Sequence, residues 1–125
     1  MLHRKLFYVQ VHPGHFLVRI HGETKSVKRE CSGLDHPRSL AGDFFQLQQC
    51  LTELFRELQT PLMRLIKPDA LVHLRPQVEG GYTNIELRAF KELATGAGAR
   101  SVFLCTDRHG PLSDSQIVEF LNTVR

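Results

Sequence analysis

Phe16, Val18 and Ile20 alternate with Leu17, Arg19 and His21, whereas from Phe44 to Leu58 the apolar residues recur at every third or fourth position. That change of period constrains the fold more than any motif, because a period of two is the pleat of a strand and a period near 3.6 is the face of a helix. Lys5 to Val11 is rich in β-formers and ends at the turn signal His12-Pro-Gly-His15. Phe16 to His21 follows, with Phe16, Val18 and Ile20 on one face and Leu17, Arg19 and His21 on the other. Gly22-Glu-Thr24 then turns into a more polar run, Lys25 to Cys31. Connections this short imply an antiparallel meander. The polar third strand is expected at the sheet edge, where charge discourages unwanted pairing.

Ser32 to Gly42 reads as loop, with Gly33, Pro37 and Gly42 inside it. Phe44, Leu47, Leu51, Leu54, Phe55 and Leu58 then form the stripe of an amphipathic helix that Asp43 could cap. Thr60-Pro61 interrupts it, so a kink or short second helix to Ile66 is expected. Asp69 to Arg75 is a short apolar run suited to a buried strand. Thr83-Asn-Ile-Glu86 has the spacing of a capping box, opening a helix that buries Ile85, Ala89, Phe90, Leu93 and Ala94 and ends at Gly96-Ala-Gly98. Ser101 to Cys105 is a further strand. Ser113-Asp-Ser-Gln116 is a second capping box, starting a helix that buries Ile117, Phe120 and Leu121.

The order is βββαβαβα, which predicts an α/β domain with a five-stranded mixed sheet in the order 3-2-1-4-5. At 125 residues, with 42 % hydrophobic and 23 % charged content, residues 1–125 are expected to form a single domain. No apolar run approaches the roughly 18 residues of a membrane span. Leu6 to Val11 is too short for a signal-peptide core, so the cytoplasm is the expected compartment. Cys31, Cys50 and Cys105 show no CxxC spacing and are expected as small buried hydrophobes or free thiols, not as a disulfide or zinc framework. A net charge of +3 permits an anionic partner without requiring one. Basic residues are not interleaved with aromatic ones, which argues against nucleic acid.

The same element order occurs in the ribonuclease H-like fold, of which each half of actin is a variant. From Leu74-Arg-Pro through Gly81-Tyr-Thr-Asn-Ile-Glu-Leu-Arg-Ala-Phe to Ala97-Gly-Ala-Arg-Ser-Val-Phe-Leu104, the chain resembles the strand–helix–strand stretch of the bacterial actin MreB. A resemblance over most of the chain is to the small bacterial YjaA proteins. It rests on Tyr8-Val-Gln10, Val18-Arg19, Ser32-Gly33, Phe44-Phe45, Gly80-Gly81, Glu86 with Arg88, and Leu112-Ser-Asp-Ser115. The MreB resemblance implies an actin-like half-domain, and the YjaA resemblance implies a link to bacterial stress response, in a family with no established catalytic activity.

In actin-type ATPases the first hairpin carries Asp-x-Gly for metal and phosphate; the matching positions here read Gln10-Val-His12, followed by Pro13. Gln10 lacks the anionic oxygen a hard cation prefers, and Pro13 has no N–H to offer phosphate. Hydrolysis is therefore not expected. His12 and His15 are the weak candidates for a metal site, short of the three or four ligands one needs. His73 reads as a satisfied core histidine. Cys105, Asp107 and His109 form a possible ligand loop at the carboxyl end of a parallel strand, where a Cys–His pair is conceivable but lacks a third group. Gly80, Gly81 and Thr83 form a possible anion site at a helix start, without a P-loop lysine. The leading expectation is a non-catalytic interaction or regulatory protein with a protein partner or a second copy, and no cofactor. The alternative is a small-ligand or phosphate/anion binder without hydrolysis.

Overall fold

The computed structural model describes residues 4–34 and 43–124. Its strands are β1 (Leu6–His12), β2 (His15–Ile20), β3 (Ser26–Glu30), β4 (Asp69–Leu74) and β5 (Val102–Cys105). Its α-helices are α1 (Phe44–Leu58), α2 (Asn84–Ala97) and α3 (Asp114–Val124), with single 3-10 turns at Ser32–Leu34 and Met63–Leu65. The five strands form one mixed sheet in the order β3-β2-β1-β4-β5. The β1–β2 and β2–β3 pairs are antiparallel, and the β1–β4 and β4–β5 pairs are parallel. Both the α/β class and the strand order expected from the hydrophobic period are therefore present. Most of the expected loop from Ser32 to Gly42 lies outside the described residues.

Alternation along β1 splits its side chains between two layers. Phe7, Val9 and Val11 join Ala70, Val72 and Leu74 of β4 beneath α1 and α2, where Leu47, Leu51, Leu54, Phe55, Phe90 and Leu93 complete the larger core. Phe7 and Phe55 meet edge to face, ring centroids 4.9 Å apart, an arrangement worth about 0.5–1.5 kcal/mol beyond burial. Tyr8 of β1, Leu71 of β4 and Cys105 of β5 face the other way, toward Leu112, Ile117 and Leu121. The pattern of half-buried residues in β2 and exposed ones in β3 follows from their position away from α3.

The helix ends show which local signals operate. Thr83 Oγ1 accepts from Glu86 N–H while Glu86 Oε1 accepts from Thr83 N–H, so the capping box closes in both directions. Ser113 and Gln116 do the same at the start of α3. Gly98 ends α2 at φ 124°, a conformation that strains any other residue. Asp43 occupies the N-cap of α1 but its side chain makes no capping bond. Ile85, expected in the buried stripe of α2, is instead 82 % exposed; Leu87, Phe90, Leu93 and Ala94 turn toward the core, and Ile85 lies roughly 140° around the helix from Phe90. Phe120 is half-buried against the smaller core.

The cysteines depart from expectation. Cys31, directly after β3, and Cys50 of α1 form a disulfide, Cα atoms 6.4 Å apart, while Cys105 remains a buried free thiol. The pairing has no sequence-local signature, because it arises only when α1 folds back across β3. A cross-link closing a loop of this size contributes about 3 kcal/mol by restricting the unfolded chain.

Candidate functional site

The carboxyl ends of β1, β4 and β5 are where an open α/β sheet offers a crevice. Register places Tyr8 beside Leu71, Gln10 beside His73, and His73 beside Cys105, so the polar side chains of this edge share the α3 face. His73 is fully buried. Its Nε2 lies 2.7 Å from the carbonyl oxygen of Asp107, and its Nδ1 lies 2.7 Å from the Tyr8 hydroxyl. A carbonyl can only accept, so Nε2 carries the proton, Nδ1 accepts, and Tyr8 donates to it. The Tyr8 oxygen in turn accepts from Leu112 N–H at 2.9 Å. Burial holds the His73 imidazole below its usual pKa, with the Asp107 carbonyl opposing, and burial raises the Tyr8 phenol. With both nitrogens engaged, His73 has no lone pair left for a substrate proton or a metal.

Gln10, buried beside it, organises a second group. Its Oε1 accepts from Arg75 Nη1 at 2.8 Å and from His12 Nε2 at 3.0 Å. Gly110 closes over both groups: a Cβ there would sit 3.0 Å from His73 Cε1 and 3.2 Å from Arg75 Cζ. Glycine is the side chain that lets the loop after β5 cover the sheet edge. Arg75 Nε is buried without a hydrogen-bond partner. His12 stacks on His15, ring centroids 4.7 Å apart. Burial, with the adjacent charge of His15 and Arg75, lowers the His12 pKa. Among the described residues no three His, Cys, Asp or Glu side chains converge in a way that would hold a metal.

The candidates named from sequence fall in separate places. Gly80 and Gly81 adopt φ 79° and 77° and lie open to solvent before α2. Gly81 N–H is bonded to Val78 O, and the N–H groups of Thr83 and Glu86 are taken by the capping box. Glu86 also brings a negative charge to this helix start, where an anion would have to sit. Cys105 and Asp107 line an open groove of about 270 Å³ between the end of β5 and α3, shared with Leu112, Gln116, Glu119, Phe120 and Thr123. His109 is exposed and does not line that groove; its N–H bonds Asp107 Oδ1 at 2.9 Å, so the structure forms no Cys–His pair there. Burial raises the Cys105 thiol pKa, which keeps it protonated and weakly nucleophilic.

Sequence reasoning did not bring out Gln10 and Arg75 as partners, nor Tyr8 as the donor to His73. Their parity placed them on one face, but the partners lie 65 residues apart. A third polar group, Arg19, bonds Asp114 at the start of α3 and the Leu112 carbonyl at 3.1 Å, and lies 5.5 Å from the Tyr8 ring centroid. That bond from Arg19 holds the Asp114 carboxyl below its usual pKa. His21 Nδ1 stands 3.3 Å from the same carboxylate but out of line for a hydrogen bond.

Away from this edge, the helix layer leaves large apolar side chains in solvent. Phe45 is 83 % exposed, Leu65 74 % and Leu62 59 %, alongside Ile85. The chain matches no protein-family model and no curated protein at a significant level. No helix among the described residues is long and apolar enough to cross a membrane.

Proposed function

We propose that this protein is a non-catalytic interaction or regulatory module built on an actin-like, ribonuclease H-like half-domain. The observation that carries the reading is the state of the sheet's carboxyl edge. Its polar side chains are spent on one another: Tyr8 on His73 and Leu112, His73 on Asp107, Gln10 on Arg75 and His12. Catalysis there would need a group free to exchange a proton or hold a ligand in place. The side chains that remain unspent are apolar and stand on the helix layer, at Phe45, Leu62, Leu65 and Ile85, the kind of surface a partner protein covers.

The resemblance to the YjaA proteins adds bacterial stress response to the proposal as the setting; the cytoplasm, expected from the sequence reading, is the proposed compartment. A cytoplasmic chain would hold Cys31 and Cys50 mainly as thiols, so thiol trapping in intact cells reads the compartment. The functional reading is tested by placing a photo-crosslinking amino acid at Phe45 and, separately, at Leu65 of the full chain. A covalent protein adduct at either position, absent at Ser26, is expected. No adduct, together with nucleotide hydrolysis above the uncatalysed rate, overturns the reading.

A further inference from the structure

The structure assigns the free edge of β5 as a surface for a second copy of this chain, paired antiparallel across a twofold axis at Phe103. This edge is a different surface from Phe45, Leu62, Leu65 and Ile85 and does not depend on what covers them. Ala70 N–H bonds the Ser101 carbonyl, and Ala70 pairs with Val102 in a parallel ladder. In such a ladder, alternate residues direct both N–H and C=O toward the neighbouring strand. Ser101 C=O and Phe103 therefore serve β4, and the N–H and C=O groups of Val102 and Leu104 point outward. Among the described residues no strand lies beyond β5.

Two outward residues separated by one inward residue form a self-complementary unit. Antiparallel pairing about Phe103 sets Val102 opposite Leu104 of the second copy, and Leu104 opposite its Val102. Each opposed pair exchanges two hydrogen bonds, four in all, and the two Phe103 side chains meet in the close, non-hydrogen-bonded position between them. The charges agree with that direction. β5 itself carries none, and the antiparallel arrangement brings Arg100, before one strand, toward Asp107, after the other. β3 at the opposite edge carries Lys28, Arg29 and Glu30, the charged composition that blocks such pairing.

A four-residue seam alone falls short of the roughly 1,200 Å² that a lasting interface buries. α3 supplies more. Phe120 lines the same groove as Cys105, and Val124, one helical turn further along that stripe, is 48 % exposed. Across the twofold axis these apolar side chains would continue the seam on the α3 face.

Sedimentation velocity on the full chain is expected to show a dimer, and Val102→Pro is expected to weaken it at least about tenfold by deleting two of the four cross-strand bonds. Proline is tolerated there because the Val102 N–H faces outward and the residue opens the strand. Under mild oxidation Phe103→Cys is expected to cross-link to itself, since close antiparallel pairs bring Cβ atoms within disulfide reach. Lys28→Cys, on the other edge, is expected to stay unlinked. A monomeric wild type at 100 μM (the concentration set for the test, about a hundredfold above a micromolar Kd) overturns the proposal. So does a folded Val102→Pro whose dimer is unchanged. If Val102→Pro fails to fold, Phe103→Cys decides: a self-link supports the proposal, and absence of one in folded protein, or a link to a different protein's strand in a lysate, overturns it.

Discussion

On the face that α1 and α2 cover, β1 and β4 present Phe7, Val9, Val11, Ala70, Val72 and Leu74, all carbon side chains. On the face toward α3 the same two strands present Tyr8, Gln10 and His73, with Arg75 directly after β4, joined to one another or to the loop after β5 by hydrogen bonds. The first face is held by area, which is non-directional and tolerates exchange of one apolar shape for another of equal volume. The second is held by direction. Each buried donor or acceptor there depends on a partner from a distant strand or loop, and losing one partner strands the other. The residue types of an active site, histidine, tyrosine and arginine, are present on the second face, and there Tyr8, His73 and Gln10 bond to one another, to Arg75 or to the loop after β5.

Substitutions distinguish the two faces. The largest effect is expected on the apolar face, where Phe55→Ala removes a side chain only 2 % exposed and its edge-to-face contact with Phe7. Chemical denaturation should report a loss of about 3–5 kcal/mol, with no change in pH dependence. On the polar face Tyr8→Phe keeps the ring and deletes the hydroxyl, leaving His73 Nδ1 and Leu112 N–H without a partner. A cost of about 1–3 kcal/mol is expected in the same measurement. A neutral Tyr8→Phe would mean the polar face, like the apolar one, is held by area alone.

The third test is pH. His73 and His12 both have depressed pKa values in the folded chain, burial being the main cause. The unfolded imidazoles therefore take up protons first, at about pH 6.5. Stability from these groups is complete above that pH and is lost as pH falls below it, by at most about 1.4 kcal/mol per pH unit for each proton. Asp114 is depressed as well, by its hydrogen bond from Arg19, and its contribution is lost further down, through the carboxylate range. Thermal melts from pH 8 to 5 should show the histidine-linked fall, and His12→Gln should reduce it without abolishing it. A flat profile would contradict the buried neutral His73. The smallest effect, about 1 kcal/mol, is expected for Gly110→Ala, where the added methyl crowds His73 and Arg75 and the loop must shift by a few tenths of an ångström. Hydrogen exchange at Leu112 N–H should rise in that variant.

Much of the architecture was legible along the chain. The β-formers of Lys5 to Val11, the alternation from Phe16 to His21, the stripe from Leu47 to Phe55 and the two capping boxes at Thr83 and Ser113 are local patterns, written within a few residues of where they act. Strand order followed from them, because short turns make a meander and helical crossovers make parallel neighbours. Tertiary structure decided what those local patterns do not contain. Ile85 is four residues before Ala89, yet the face of α2 that meets the core is the one of Leu87, Phe90 and Leu93, and Ile85 turns to solvent. Cys31 and Cys50 became a disulfide because α1 crosses β3. Tyr8, His73 and Leu112 became one chain of hydrogen bonds because β1–β4 register and the loop over Gly110 set three separated segments within 3 Å of each other. Periodicity assigns a side chain to a face; only the register between strands and the course of the connecting loops assign it a partner.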